Sequence, residues 1–298
     1  MTYRSGSAFA TGVFSASTMA NPRILQILVA ALLVFACSDR AEEEANLLLV
    51  TTTSVRDSGL LAELLPIFEK QTGIRAQVVA VGSGAALRMG RDGNADVLLT
   101  HAPDGEEELV ASGAAVRRTP IMENYFVIAG PPEDPARVRD AGSPADAIRR
   151  IADAPERFIS RGDDSGTHRR EVALLKEAGL GPAGGWPGFA SSGAGMGQTL
   201  QIAGERRAYV LSDLGTFLAF RERTGLVSLS EPTPSLRNVY SVLRVNPNRL
   251  EPARAKRAEQ FEAFLLEADT QRRIAEFGRE RFGRQLFLPL HLDPRARP

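Results

Sequence analysis

The sequence predicts an α/β protein built as two lobes, on three observations. From Asn46 onward short apolar runs alternate with amphipathic stretches of helical spacing. Two long extended runs, 121–132 and 236–246, bracket the middle third of the chain. The composition is that of an ordinary globular protein, with 43% hydrophobic and 24% charged residues over 298 positions. The bracketing runs are what a chain needs to cross from one lobe to another and return. One lobe is therefore expected at 45–123 plus 238–298 and the other at 124–237, with 1–44 outside both.

The elements follow in order. Residues 24–36, ILQILVAALLVFA, form an apolar run shorter than the ~20 residues of a membrane-spanning helix. Arg23 precedes it and Ala36-Cys37 closes it, the pattern of an export signal. Met19 is an alternative start to Met1. Val34-Phe35-Ala36-Cys37 resembles a bacterial lipobox, which makes Cys37 a candidate lipidation site; the bulky Phe35 keeps simple cleavage open, and a buried N-terminal helix is the bland alternative. An acidic spacer, 39–44, leads to NLLLV (46–50), a buried strand. Residues 58–73 place Leu60, Leu61, Leu64, Leu65 and Phe68 at helical spacing before a stop at Gly73. Strands are expected at 75–81 and 95–100, helices after Gly82-Ser83-Gly84 and at 105–113. This alternation implies parallel pairing. In the middle third come FIS (158–160), helices at 167–178 and 197–204, and AYVL (208–211); residues 252–277, rich in Ala, Leu, Glu and Arg, read as helices.

Charge and cysteine usage narrow the function. Lys+Arg and Asp+Glu are 36 each, so no surplus points to nucleic acid or to an anionic membrane surface. Cys37 is the single cysteine, which excludes an internal disulfide or a thiolate metal cluster. His101, His168 and His291 lie too far apart for metal-ligand spacing on a helix.

Three polar segments stand where a core would be apolar. Thr51-Thr52-Thr53-Ser54 follows the first strand, and in open α/β sheets ligands bind beyond the carboxyl ends of strands. Four hydroxyls there, backed by amides of the next helix, suit an anion; alternatively Ser54 or Asp57 merely caps that helix. Gly82-Ser83-Gly84 occupies the same place after the second strand, with glycines for close backbone approach and Ser83 as a neutral donor. Most informative is 160–168, SRGDDSGTH: Arg161 brings a fork of donors, Ser165 and Thr167 hydroxyls, and the amides from Gly166 onward the open end of a helix. Asp163 would repel an anion, so its expected work is to hold Arg161 from behind. A capped helix on an exposed loop is the alternative.

With these segments in view, the chain resembles the tungstate-binding proteins of bacterial ABC importers. The stretches TTTSVRDSGLL, AVGSGAALRMGRDGNADVLLTHAP, ENYFVIAGPPEDPA, FISRGDDSGTH, GAGMGQTLQIAGERRAYVLSD and FGRQLFLPLH carry the likeness across nearly the whole exported part. The resemblance implies a type II periplasmic binding protein fold with two crossover strands, closing on one tetrahedral oxyanion. Ligand groups carried over by position fall on Thr52, Thr53, Ser54, Ser83, Arg161, Ser165 and Thr167. The chain departs from the pattern at Asn124-Tyr125 and at Leu214, where an arginine is expected. The implied protein is a monomeric, non-catalytic extracytoplasmic receptor without cofactor. It binds tungstate or molybdate, delivers it to a membrane permease, and touches the membrane only through a lipid on Cys37. Phosphate is the nearest rival, yet a phosphate site needs an acceptor for the anion's proton, and 100–103 reads Thr-His-Ala-Pro with no acid. A serine hydrolase using Ser165 with His168, or Ser83 with His101, is the rival from another class; G-x-S-x-G is absent.

Overall fold

The computed structural model describes residues 46–181 and 184–292; the export segment, Cys37 and the acidic spacer lie outside them. In chain order the elements are β1 (Asn46–Thr52), α1 (Thr53–Ser58), α2 (Leu60–Thr72), β2 (Arg75–Val81), α3 (Ser83–Arg91), β3 (Val97–Thr100), α4 (Pro103–Ala111) and β4 (Ala115–Gly130). The middle third holds α5 (Pro144–Asp153), β5 (Phe158–Ser160), α6 (Gly166–Glu177), β6 (Phe189–Ser191), α7 (Met196–Glu205), β7 (Val210–Asp213), α8 (Leu214–Thr224) and β8 (Val227–Ser228). The chain closes with β9 (Arg237–Val245), α9 (Pro252–Leu266), α10 (Ala268–Glu276), α11 (Arg279–Phe282) and β10 (Leu288–Pro289).

The main sheet runs β10-β4-β9-β3-β1-β2. Pairing of β1 with β2 and β3 is parallel, as the alternation predicts, and Leu47, Leu49 and Val50 are buried between covering helices. The sheet is nevertheless mixed, because β9 returns antiparallel to both β3 and β4. The parallel pairing read from the alternation holds for β1, β2 and β3, whereas β4 and β9 are the two long runs that leave for the middle third and return from it, and they lie in opposite directions. β4 belongs to two sheets. Up to Tyr125 it pairs with β9, and from Phe126 to Ala129 it pairs with β7. Its register shifts between Pro120 and Met122, where proline has no N–H to give the ladder. The helix expected over 58–73 is α2, and the short α1 precedes it as a separate helix: Gly59 adopts φ +89°, ending α1 and opening α2. α2 packs on α9 through Phe68, whose ring meets Phe261 edge-on at 5.1 Å between centroids. A second core around Ile148, Phe158, Leu174 and Tyr209 lies under α5 and α6. α5 carries the usual start signal, Ser143 accepting from the Asp146 amide with Pro144 behind it.

Candidate functional site

The carboxyl ends of β1, β2, β3 and β5 deliver, in turn, Thr52, Ser83, His101 and Arg161. All four are buried although polar, which already separates them from ordinary loop residues.

Thr52 is the N-cap of α1, accepting from the Val55 amide at 3.4 Å. Capping thus falls to Thr52 and not to Ser54 or Asp57. Thr53 opens the helix and is half-buried. Ser54 turns inward, its hydroxyl 3.0 Å from Thr52 Oγ1 and 2.9 Å from His101 Nε2. The β3–α4 connection that carries His101 is pinned by Glu106, fully buried. Its Oε1 accepts from Thr100 Oγ1 at 2.7 Å and from the Ala102 amide at 2.8 Å, while Oε2 meets Arg118 Nε at 2.7 Å.

Arg161 is 2% exposed. Its Nε donates to the Ala194 carbonyl at 2.9 Å, and Nη2 pairs with the Asp163 carboxylate. Neither bond uses Nη1. The carbonyl partner sits in a loop tied to β5 by Ser192 N donating to Ser160 O and Gly193 N to Arg161 O. Asp163 also accepts from the Ser165 amide at 3.2 Å, so one carboxylate fixes both the guanidinium and the loop behind it. That loop passes through the left-handed region at Gly162 and Asp164, residue types that tolerate it. Ser165 then caps α6, its Oγ accepting from His168 N at 3.2 Å. Thr167, 1% exposed, leaves its Oγ1 without a partner among the described residues.

Two glycines let these segments converge. A Cβ on Gly166 would stand 2.9 Å from His101 O, and one on Gly84 would stand 2.6 Å from Asp164 Oδ2. The Gly166 amide donates to Ser83 Oγ at 3.0 Å, joining the two sets of expected ligand residues directly. The structure therefore brings Ser83, Gly166 and the His101 loop together, places Thr52 and Ser54 on the other edge of that histidine, and holds Arg161 with Asp163. Ser165 spends its acceptor on its own helix.

Sequence reasoning passed over several polar residues here. His101 Nδ1 lies 3.0 Å from Asn238 Oδ1, whose Nδ2 donates to Asn124 Oδ1 at 3.0 Å and to Tyr240 OH at 2.8 Å. Burial lowers the imidazole pKa to about 4, against the raising effects of Glu106 and the Asn238 bond, so the ring is neutral at pH 7. Glu171, buried on α6, accepts from the Arg161 amide at 3.2 Å, and burial raises its carboxyl to about 7. Asp213, at the end of β7, is likewise raised by burial, with the Thr216 amide and the Arg161 charge opposing. A pocket of about 320 Å³ opens beside the cluster, lined by His101, Gly166, Arg169, Arg237 and Asn238 among others. The signal that finds His101 is the one that finds Thr52 and Ser83: a polar residue at the carboxyl end of a parallel strand.

Residues 39–269 match the PBP superfamily domain. The chain is 44% identical over 254 residues to a tungstate-binding protein TupA of Peptoclostridium acidaminophilum, covering 84% of this chain and 88% of that protein. It belongs to this family of binding proteins. A crystal structure of the tungstate ABC transporter from Geobacter sulfurreducens is similar at 40% identity and a TM-score of 0.72, covering 78% of this chain and 99% of that one. The TupA structure from Desulfovibrio alaskensis G20 is similar at 37% identity and a TM-score of 0.71, covering 82% and 98%. The type II binding-protein fold expected from the resemblance is thus the fold of the chain.

Proposed function

We propose that the chain is an exported receptor for one tetrahedral oxyanion, tungstate or its near twin molybdate, which it hands to an ABC permease without catalysis and without a cofactor. The observation that carries this reading is Arg161, a buried guanidinium held by bonds at Nε and Nη2, neither of which uses Nη1, on the loop that leads to Thr167, whose buried hydroxyl has no partner among the described residues. One cation and several neutral donors can hold a dianion without burying a full counter-charge. Kinship with tungstate-binding proteins supports the choice of anion. On this reading 45–123 with 238–298 forms one lobe and 124–237 the other, the protein works as a monomer outside the cytoplasm, and Cys37 is the point of lipid attachment.

Nanomolar binding takes about 12 kcal/mol. Charge-assisted hydrogen bonds of ~1.5–3 kcal/mol each make Thr52, Thr53, Ser54, Ser83, Arg161, Ser165, Gly166 and Thr167 a sufficient supply after the cost of closure. Calorimetry with sodium tungstate is expected to give one anion per chain at submicromolar affinity. No heat with either tungstate or molybdate overturns the proposal.

One observation favours a different class. Ser54, His101 and Asn238 stand in the order nucleophile, base and orienting group. A ring with a pKa near 4 is a poor base at neutral pH, and Ser54 is 4% exposed, so the receptor reading is preferred.

A further inference from the structure

Resting on the oxyanion reading, we infer that His101 is a positioning residue that sets the direction in which the Ser54 hydroxyl points its proton, carrying its own proton on Nε2 in the anion-bound protein. The hydrogen-bond chain through His101 has a polarity. As it stands, Asn238 Nδ2 donates onward to Asn124 and Tyr240, so its Oδ1 takes the proton of His101 Nδ1. The neutral ring then has a bare Nε2, which accepts the Ser54 proton at 2.9 Å. Ser54 Oγ in turn becomes the acceptor for Thr52 Oγ1 at 3.0 Å. In this polarity both hydroxyl protons are spent inside the protein. Only lone pairs remain for a fully ionised oxyanion, which accepts and never donates.

The opposite polarity uses the same heavy atoms. With the Asn238 and Asn124 amides turned over, Asn124 Nδ2, which has no partner among the described residues, donates to Asn238 Oδ1 beside the Tyr240 hydroxyl. Asn238 Nδ2 then donates to a bare Nδ1, and Nε2–H donates to Ser54 Oγ. The Ser54 proton is released toward the anion, and the unpartnered position on Asn124 passes from its amide nitrogen to its carbonyl oxygen. The change is neutral in protons: one leaves Nδ1 and one is taken at Nε2, with water as source and sink. His101 lines the 320 Å³ pocket, which gives that exchange a route. A protonated anion accepts this donor through its other oxygens but finds no partner here for its own proton, so the bound polarity favours fully ionised anions.

The test is ¹⁵N NMR of histidine-labelled full-length protein saturated with sodium tungstate, after calorimetry has established binding. Imidazole nitrogen shifts distinguish the tautomers, and with three histidines in the chain the His101→Gln spectrum assigns the signal. The expected result is protonation at Nε2. Binding with the proton on Nδ1 overturns the relay while leaving the receptor reading intact; no binding at all overturns both. As a rescue test, His101→Gln, whose amide N–H can stand in for Nε2–H, should bind tungstate at least about tenfold more tightly than His101→Phe. Equal affinities for the two variants count against the relay.

Discussion

Replacing Thr167 by Val should move stability and binding in opposite directions. The side chain is 1% exposed and its hydroxyl lacks a partner among the described residues. An unsatisfied buried hydroxyl costs about 1–3 kcal/mol, and valine fills nearly the same space without that cost. The ligand-free variant should therefore be more stable by about 1 kcal/mol or more, a rise in Tm of roughly 2–4 °C per kcal/mol for a chain of this size. If the hydroxyl exists to donate to an anion, tungstate binding should weaken by about 10- to 150-fold, from ~1.5–3 kcal/mol for a hydrogen bond to a charged group. Calorimetric titration and differential scanning calorimetry on the same preparation read both quantities. A variant that loses stability and keeps its affinity refutes the assignment, because the hydroxyl is then a structural group.

Arg161→Ala should weaken tungstate binding by tens to hundreds of fold. It should also lower the ligand-free Tm, since it empties a buried site and strips Asp163 of its ion pair; Arg161→Lys should fall between, and wild-type affinity in the alanine variant would mean the anion binds elsewhere. Glu171→Gln should unmask a pH slope. The Glu171 carboxyl, raised to about 7, adds stability that is full below its unfolded value of 4.5 and lost as pH rises through 7. His101, lowered to about 4, adds stability that is full above 6.5 and lost as pH falls through 4. The two offset each other between pH 4.5 and 6.5, so urea titrations of the variant should show stability falling by about 3 kcal/mol more than wild type on acidification from pH 7 to 4.5; parallel curves refute it. A fluorophosphonate probe should leave Ser54, Ser83 and Ser165 unlabelled, and labelling of Ser54 would revive the hydrolase reading. Excess phosphate at pH 7 should fail to displace tungstate, and strong displacement would make the protein a phosphate receptor.

Much of the fold could be read from the chain because its central strands are apolar on both faces and end in hydroxyl or glycine runs. Thr52 and Ser83 were legible as rim residues for that reason, and Arg161 because a lone cation precedes a helix start. What escaped was set by pairing across distance. Asn238 and Asn124 look like ordinary strand polar residues until β9 lies antiparallel on β4 and puts them opposite one another. His101 is visible in the sequence as the residue standing where a phosphate site has an acid and as a possible base for Ser83, but nothing local says that its ring is clamped between α1 and β9. The short α1 before Gly59 escaped because Thr53–Ser58 holds a single apolar residue, Val55, and so shows no helical periodicity.

The bond between Ser83 and the Gly166 amide has a consequence for signalling. A neutral hydrogen bond contributes about 0.5–1.5 kcal/mol net, a bias of roughly twofold to tenfold toward the arrangement that makes it. Driving a receptor from almost wholly open to almost wholly shut takes a bias of about 10⁴. If the two segments belong to lobes that separate, an empty receptor carries a small fraction of molecules shaped as though loaded. The weakness of that one contact would then be a safeguard: strong enough to align the lobes for capture, too weak to imitate cargo.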